Sequence, residues 1–150
     1  MNQDDILHKV LEEHHAIRTL MSELQQRIDR EPELPHRAWI ADLKEKARSL
    51  CEHLKIHFQL EEREDFTAPI LETRPTAIPQ VEALKKEHGI LLDGLSRLIR
   101  DLEEAEETEE TRDVSISERL QTFLRALGKH EREEDHLIQS VFTEDLSAGD

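Results

Sequence analysis

Tyrosine is absent from this 150-residue chain, cysteine and tryptophan occur once each, and glycine and proline number only 4 and 5. Each shortage closes a route. Without tyrosine there is no tyrosyl radical. A lone cysteine, Cys51, supports neither an internal disulfide framework nor a thiolate zinc site. Aromatic residues make up 3% of the chain and β-branched runs are missing, which argues against a strand-rich domain. No apolar run approaches the roughly 20 residues that a membrane span needs. Acidic residues outnumber basic ones 35 to 20, a formal charge of −15, and such a surface repels phosphate backbones and anionic lipid. Neither nucleic acid nor membrane is therefore an expected partner. The opening MNQDDILHKV is acidic and polar, unlike a secretory signal, so cytoplasm is the expected compartment.

What remains is helix-forming. The chain is 36% hydrophobic and 37% charged, rich in Leu, Glu, Lys, Arg, Gln and Ala. Its length suits one domain over residues 1–150 with a single core. Breakers divide it: EPELP (31–35), TAPILETRPTAIP (67–79) and EETEETRDV (106–114). Ser115 and Glu118 form an S-x-x-E start signal after the last of these. The pattern predicts helices near 3–30, 35–65, 80–107 and 116–142, with 67–79 as a long loop. The expected fold is all-α, an up-down-up-down four-helix bundle.

Each helix carries an apolar stripe at alternating steps of three and four. Six polar residues interrupt the four stripes. His14 falls between Val10 and Ile17, and His88 between Leu84 and Leu91. His57 and Glu61 follow Leu54, while His130 and Glu134 lie between Leu127 and Leu137. His14 and His88 come early in their helices, and the other four come late. Up-down topology therefore brings all six into one layer near one end. The sequence also repeats: EH-x-x-I in helix one matches EH-x-x-L in helix three, and H-x-x-x-E closes helices two and four. Each helical hairpin thus supplies two histidines and one glutamate.

Burying carboxylates in a leucine core costs several kcal/mol apiece unless something compensates them. A metal does so. Residues i and i+4 share a helix face, so His57 with Glu61, and His130 with Glu134, can converge on one ion. Imidazole and carboxylate without thiolate favour iron, manganese or zinc. Four nitrogens and two carboxylates are too many for one tetrahedral zinc and suit two ions bridged by the carboxylates and a solvent species.

The set H … H-x-x-x-E … H … H-x-x-x-E resembles the hemerythrin-like (HHE cation-binding) domains, and HFQLEE and HEREEDHLI are similar to that family's paired motifs. The resemblance covers nearly the whole chain. It implies a four-helix bundle holding two non-haem iron ions, bridged by carboxylates and an oxo or hydroxo group. Carried over by position, His14, His57, Glu61, His88, His130 and Glu134 are the iron ligands, with the two glutamates as bridges. Two departures stand out. Oxygen carriers of the family have a histidine one turn before the position of His88, where this chain has Leu84. They also take the last carboxylate five residues after the final histidine, which here is Asp135. The repeat favours Glu134, with Asp135 as the alternative. The implied partner is a small diatomic or peroxide ligand: oxygen, nitric oxide or peroxide. The implied roles are sensing, detoxification or iron handling, with a peroxidase-like or nitric-oxide-reducing enzyme and a metal-free helical interaction domain as alternatives.

Other residues read as ordinary. His15 shares a polar face with Glu12 and Arg18. His53 belongs at the rim of the site or as a substitute for the missing histidine. His8, His36 and His136 read as solvated, Cys51 as a buried filler, and Trp39 and the phenylalanines as core. The ferritin-like E-x-x-H signature occurs at Glu12/His15 and Glu133/His136, both on polar faces. The acidic run from Glu103 to Glu110 reads as a solvated helix end. The 67–79 segment, at the same end as the six seam residues, is expected to cover them.

Overall fold

The computed structural model describes residues 3–30, 33–107 and 114–148, with side chains for 4–30, 33–107 and 115–141. The chain is all-α. Helices α1 (Gln3–Asp29), α2 (His36–Glu61), α4 (Ile78–Glu107) and α5 (Val114–Ala148) are long, and α3 (Glu64–Thr73) is short. A single 3₁₀ turn, Pro75–Ala77, links α3 to α4. The long helices pack antiparallel, α1 on α2, α2 on α4, α4 on α5, and α5 back on α1. None of the described helices is long and apolar enough to cross a membrane.

Trp39 fastens the first hairpin. Its ring is buried and its indole Nε1 donates to the Arg27 carbonyl at 2.7 Å, tying the start of α2 to the end of α1. Phe58, Phe66 and Phe123 are buried, as is Cys51, while the side chain of Phe142 lies outside the described residues. His36 departs from its expected solvation: it is half-buried, with its ring 6.1 Å from that of Trp39.

The segment expected as a loop at 67–79 is mostly helical. Helix α2 stops at Glu61, the backbone at Arg63 is extended (φ −69°, ψ 142°), and α3 then begins. The Arg63 carbonyl accepts from the amides of Phe66 and Thr67, both at 3.0 Å, and its guanidinium forks onto Asp65. Pro69 lies inside α3 and removes one helical hydrogen bond, at a cost of about 3 kcal/mol. Phe66 and Ile70, one turn apart and both buried, return roughly 1.5–3 kcal/mol each. Burial wins, and the helix forms. At the other seam α5 begins at Val114, so Ser115 sits inside its first turn and not at the cap; residues 108–113 lie outside the described set.

The interior has two apolar parts. The larger contains Ile17, Leu24, Leu43, Leu50, Leu95 and Leu120, among others. The smaller contains Ile6, Val10, Phe66, Ile70, Leu84 and Leu137 under α3. Between them lies a polar layer.

Candidate metal centre

All six seam residues meet in that layer. His14, His57 and His130 are 0% exposed, and Glu61, His88 and Glu134 are at most 5% exposed. Their donor atoms form two groups, each within a 4.8 Å span: His14, His57, Glu131 and Glu134 in one, and Glu61, His88, His130 and Glu134 in the other. Each group takes both histidines from one hairpin. The carboxylates cross over. Glu134 belongs to both groups, and Glu61 Oε1 lies 3.0 Å from His57 Nε2 and 3.6 Å from His88 Nε2, so it too spans the pair.

Glu131 was not among the sequence-derived candidates. It is 3% exposed, and its Oε2 lies 3.4 Å from His14 Nε2. The signal was there at a wider spacing: Leu124 and Ile138, seven residues to either side, are both buried. Glu131 lies on a second inward stripe beside the one through His130 and Glu134.

Asp135 lies outside the cluster. His14 Nδ1 donates to Asp135 Oδ1 at 2.7 Å, and Asp135 Oδ2 accepts from Arg18 at 3.3 Å. Asp135 thus orients a histidine instead of joining the inner donors. The sequence repeat continues into this outer layer. His130 Nδ1 pairs with Glu87 at 3.1 Å, and His88 Nδ1 faces Glu62 at 3.9 Å. Glu62 follows Glu61 as Asp135 follows Glu134. Glu87 precedes His88 as Glu13 precedes His14, but Glu13 faces His53 Nδ1 at 3.6 Å. His53 is half-buried at the rim, while His8, His15 and His136 are exposed. Of the ferritin-like pairs, Glu12, His15 and His136 are exposed and Glu133 is half-buried. In the acidic run, Glu103 pairs with Arg48 and Glu106 with Lys44.

The electrostatics show what the cluster needs. Burial alone would raise the Glu61 carboxyl, but the imidazoles of His57 and His14 overcome it and hold Glu61 at about 2. Glu131 is pushed up to about 7 by burial, which the same two imidazoles do not offset. Burial lowers the His14 imidazole, yet its hydrogen bond to Glu61 and the charges of Glu131 and Asp135 raise it overall. Burial pushes His88 down to about 4. Hydrogen bonding within the cluster is incomplete: both Glu131 oxygens, Glu61 Oε1, Glu134 Oε2, His57 Nε2 and His130 Nε2 are buried without a well-formed hydrogen bond, although Glu61 Oε1 lies 3.0 Å from His57 Nε2. Orphaned buried polar atoms cost about 1–3 kcal/mol each, and these converge on two points. The donor set fits two divalent or trivalent cations.

One ring steadies the second group. Phe58 stacks on His88 with centroids 4.0 Å apart and planes 7° apart, and it meets His130 edge-on at 5.5 Å. Beside His88, Glu61 and Glu134 lies a cavity of about 30 Å³, walled by Phe66, Ile70, Leu84 and Leu137. A water needs at least roughly 10–15 Å³, so this space takes a ligand of two or three atoms.

Four antiparallel helices carrying buried imidazoles and carboxylates at their shared centre define a metal-binding helical bundle. Residues 5–141 match the Hemerythrin HHE cation binding domain, and the chain belongs to that family. Comparison with curated proteins and with solved structures gave no match.

Proposed function

We propose that this chain is a non-haem di-iron protein whose centre binds or reacts with oxygen, nitric oxide or peroxide, in sensing, detoxification or iron handling. One observation carries the reading: an apolar cavity of diatomic size abuts the donors Glu61, His88 and Glu134, where Leu84 stands in place of a histidine. His14, His57, Glu131 and Glu134 would hold one ion, and Glu61, His88, His130 and Glu134 the other. An iron pair supplies one- and two-electron redox chemistry when bound.

The chain's own residues prepare the site. Asp135 and Glu87 occupy the Nδ1 side of His14 and His130, which leaves each Nε2 lone pair facing inward. Phe66 and Ile70 from α3 give the cavity an apolar wall. The orphaned donors weigh against the metal-free interaction domain, because such a domain would carry several uncompensated buried groups.

Metal analysis and an absorption spectrum test the proposal. Iron at two per chain is expected, with charge-transfer absorption in the oxidised protein and a spectral change when nitric oxide meets the reduced protein. Zinc alone, or iron indifferent to all three ligands, would overturn it.

A further inference from the structure

We propose that Glu131 makes the two ion positions unequal: the one between His14 and His57 fills first and holds tightly, and the one between His88 and His130 is labile. The inference rests on the di-metal reading above and adds an order of loading to it.

The imidazoles are arranged alike in the two hairpins. The His14 and His57 rings meet edge-on with centroids 4.5 Å apart and planes at 67°, and the His88 and His130 rings do so at 4.9 Å and 69°. The sequence repeat breaks at the next residue, which is Phe58 after His57 and Glu131 after His130. Both are buried, and each reaches across to the other hairpin's pair. Phe58 lies against the His88 and His130 rings. The Glu131 oxygens lie 3.4 Å from His14 Nε2 and 3.7 Å from His57 Nε2. One ion position therefore has a carboxylate where the other has a phenyl ring.

The carboxylate counts differ accordingly. Glu61, Glu131 and Glu134 all lie within 3.8 Å of both His14 Nε2 and His57 Nε2. Among the described residues only Glu61 and Glu134 face His88 Nε2, at 3.6 and 3.2 Å, and Glu134 alone pairs with His130 Nε2. Both Glu131 oxygens are buried without a well-formed hydrogen bond, so they are available to an ion.

A first cation meets three carboxylates in one position and two in the other. Ligand charge count moves the Kd of oxygen-ligated cation sites by powers of ten, and a buried setting strengthens each added charge. The second cation then enters with Glu61 and Glu134 already shared and another cation beside it, which widens the gap. Between the two binding steps the chain holds one ion. The ion that comes and goes is the one beside the apolar cavity, which His88, Glu61 and Glu134 line.

The test is an anaerobic titration of the metal-free full chain with ferrous iron against a competing chelator, read by native mass spectrometry. Wild type should show two steps at least about tenfold apart. Glu131→Gln keeps the side chain's size and removes its charge; it should weaken the first step about tenfold or more and bring the two steps together. His88→Ala should lose the second step and keep the first. Equal steps in wild type, uptake of both ions in one step, a first step unmoved by Glu131→Gln, or loss of the first step in His88→Ala would each overturn the proposal and leave the di-metal centre standing. A wild-type chain that takes up fewer than two ions would remove both.

Discussion

His14 and Asp135 are joined by a 2.7 Å hydrogen bond on the side of the imidazole facing away from the carboxylate cluster. The bond orients the imidazole and turns Nε2 inward, toward Glu61, Glu131 and Glu134, each 3.4 Å away. Removing an outer partner of this kind weakens metal binding about 10- to 100-fold without deleting a ligand. Asp135→Ala should therefore keep two metals per chain at saturation, with affinity reduced by that factor in a competition titration. A drop to one metal would make Asp135 an inner ligand after all.

Glu61 carries the second prediction, because it spans the two donor groups. Glu61→Leu takes the carboxylate partner away from the buried His57 and His14 imidazoles, which in metal-free protein is destabilising by about 3–5 kcal/mol at neutral pH. In metal-loaded protein it removes a shared ligand. Thermal melts should show the variant less stable than wild type without metal, and less stable by a wider margin with it. A variant of unchanged stability in both states would contradict the assignment.

The pH dependence of the metal-free protein should follow Glu131. Its folded pKa, about 7, lies above the usual carboxylate value, so the folded state binds the extra proton. Stability from this group is present below pH 4.5 and is lost as pH rises towards 7, by on the order of 3 kcal/mol. Glu61, held at about 2, acts oppositely, contributing stability above pH 4.5 that disappears as pH falls towards 2. Glu131→Gln should flatten the loss between pH 4.5 and 7 in denaturant titrations. Metal-loaded wild type should show the reverse trend in that window, since the ion needs the carboxylate.

Leu84 and Phe66 bound the cavity from α4 and α3. Leu84→His would set an imidazole into it beside Glu61 and His88. Metal affinity should rise and azide affinity should fall at least about tenfold. Phe66→Ala should do the opposite for access, speeding oxidation of the reduced centre in stopped flow, at a stability cost of about 3–5 kcal/mol. An unchanged oxidation rate would mean that α3 does not cover the route in.

The six seam residues could be read from sequence because each replaces a leucine-type residue in a regular stripe, and an unexplained buried charge is visible in one dimension. Glu131 escaped because it sits beside His130, on a face that the three-and-four spacing of a single seam does not include. Helix α3 escaped because Pro69 and Pro75 read as breakers, while the burial of Phe66 and Ile70 that offsets Pro69 depends on how the other helices pack. Asp135 was visible as a candidate, but which side of His14 it touches is set by the packing of α1 against α5. The EH repeat drew attention to Glu13 and Glu87 without revealing that they turn towards histidines of other helices.

The most direct test is the number of metal ions per chain. Metal-free protein titrated with ferrous iron under anaerobic conditions, and followed by native mass spectrometry, should take up two ions, with the second lost in Glu61→Leu. A folded wild-type chain that stays at zero, or binds one ion that Glu61→Leu still binds, would contradict a shared two-cation centre.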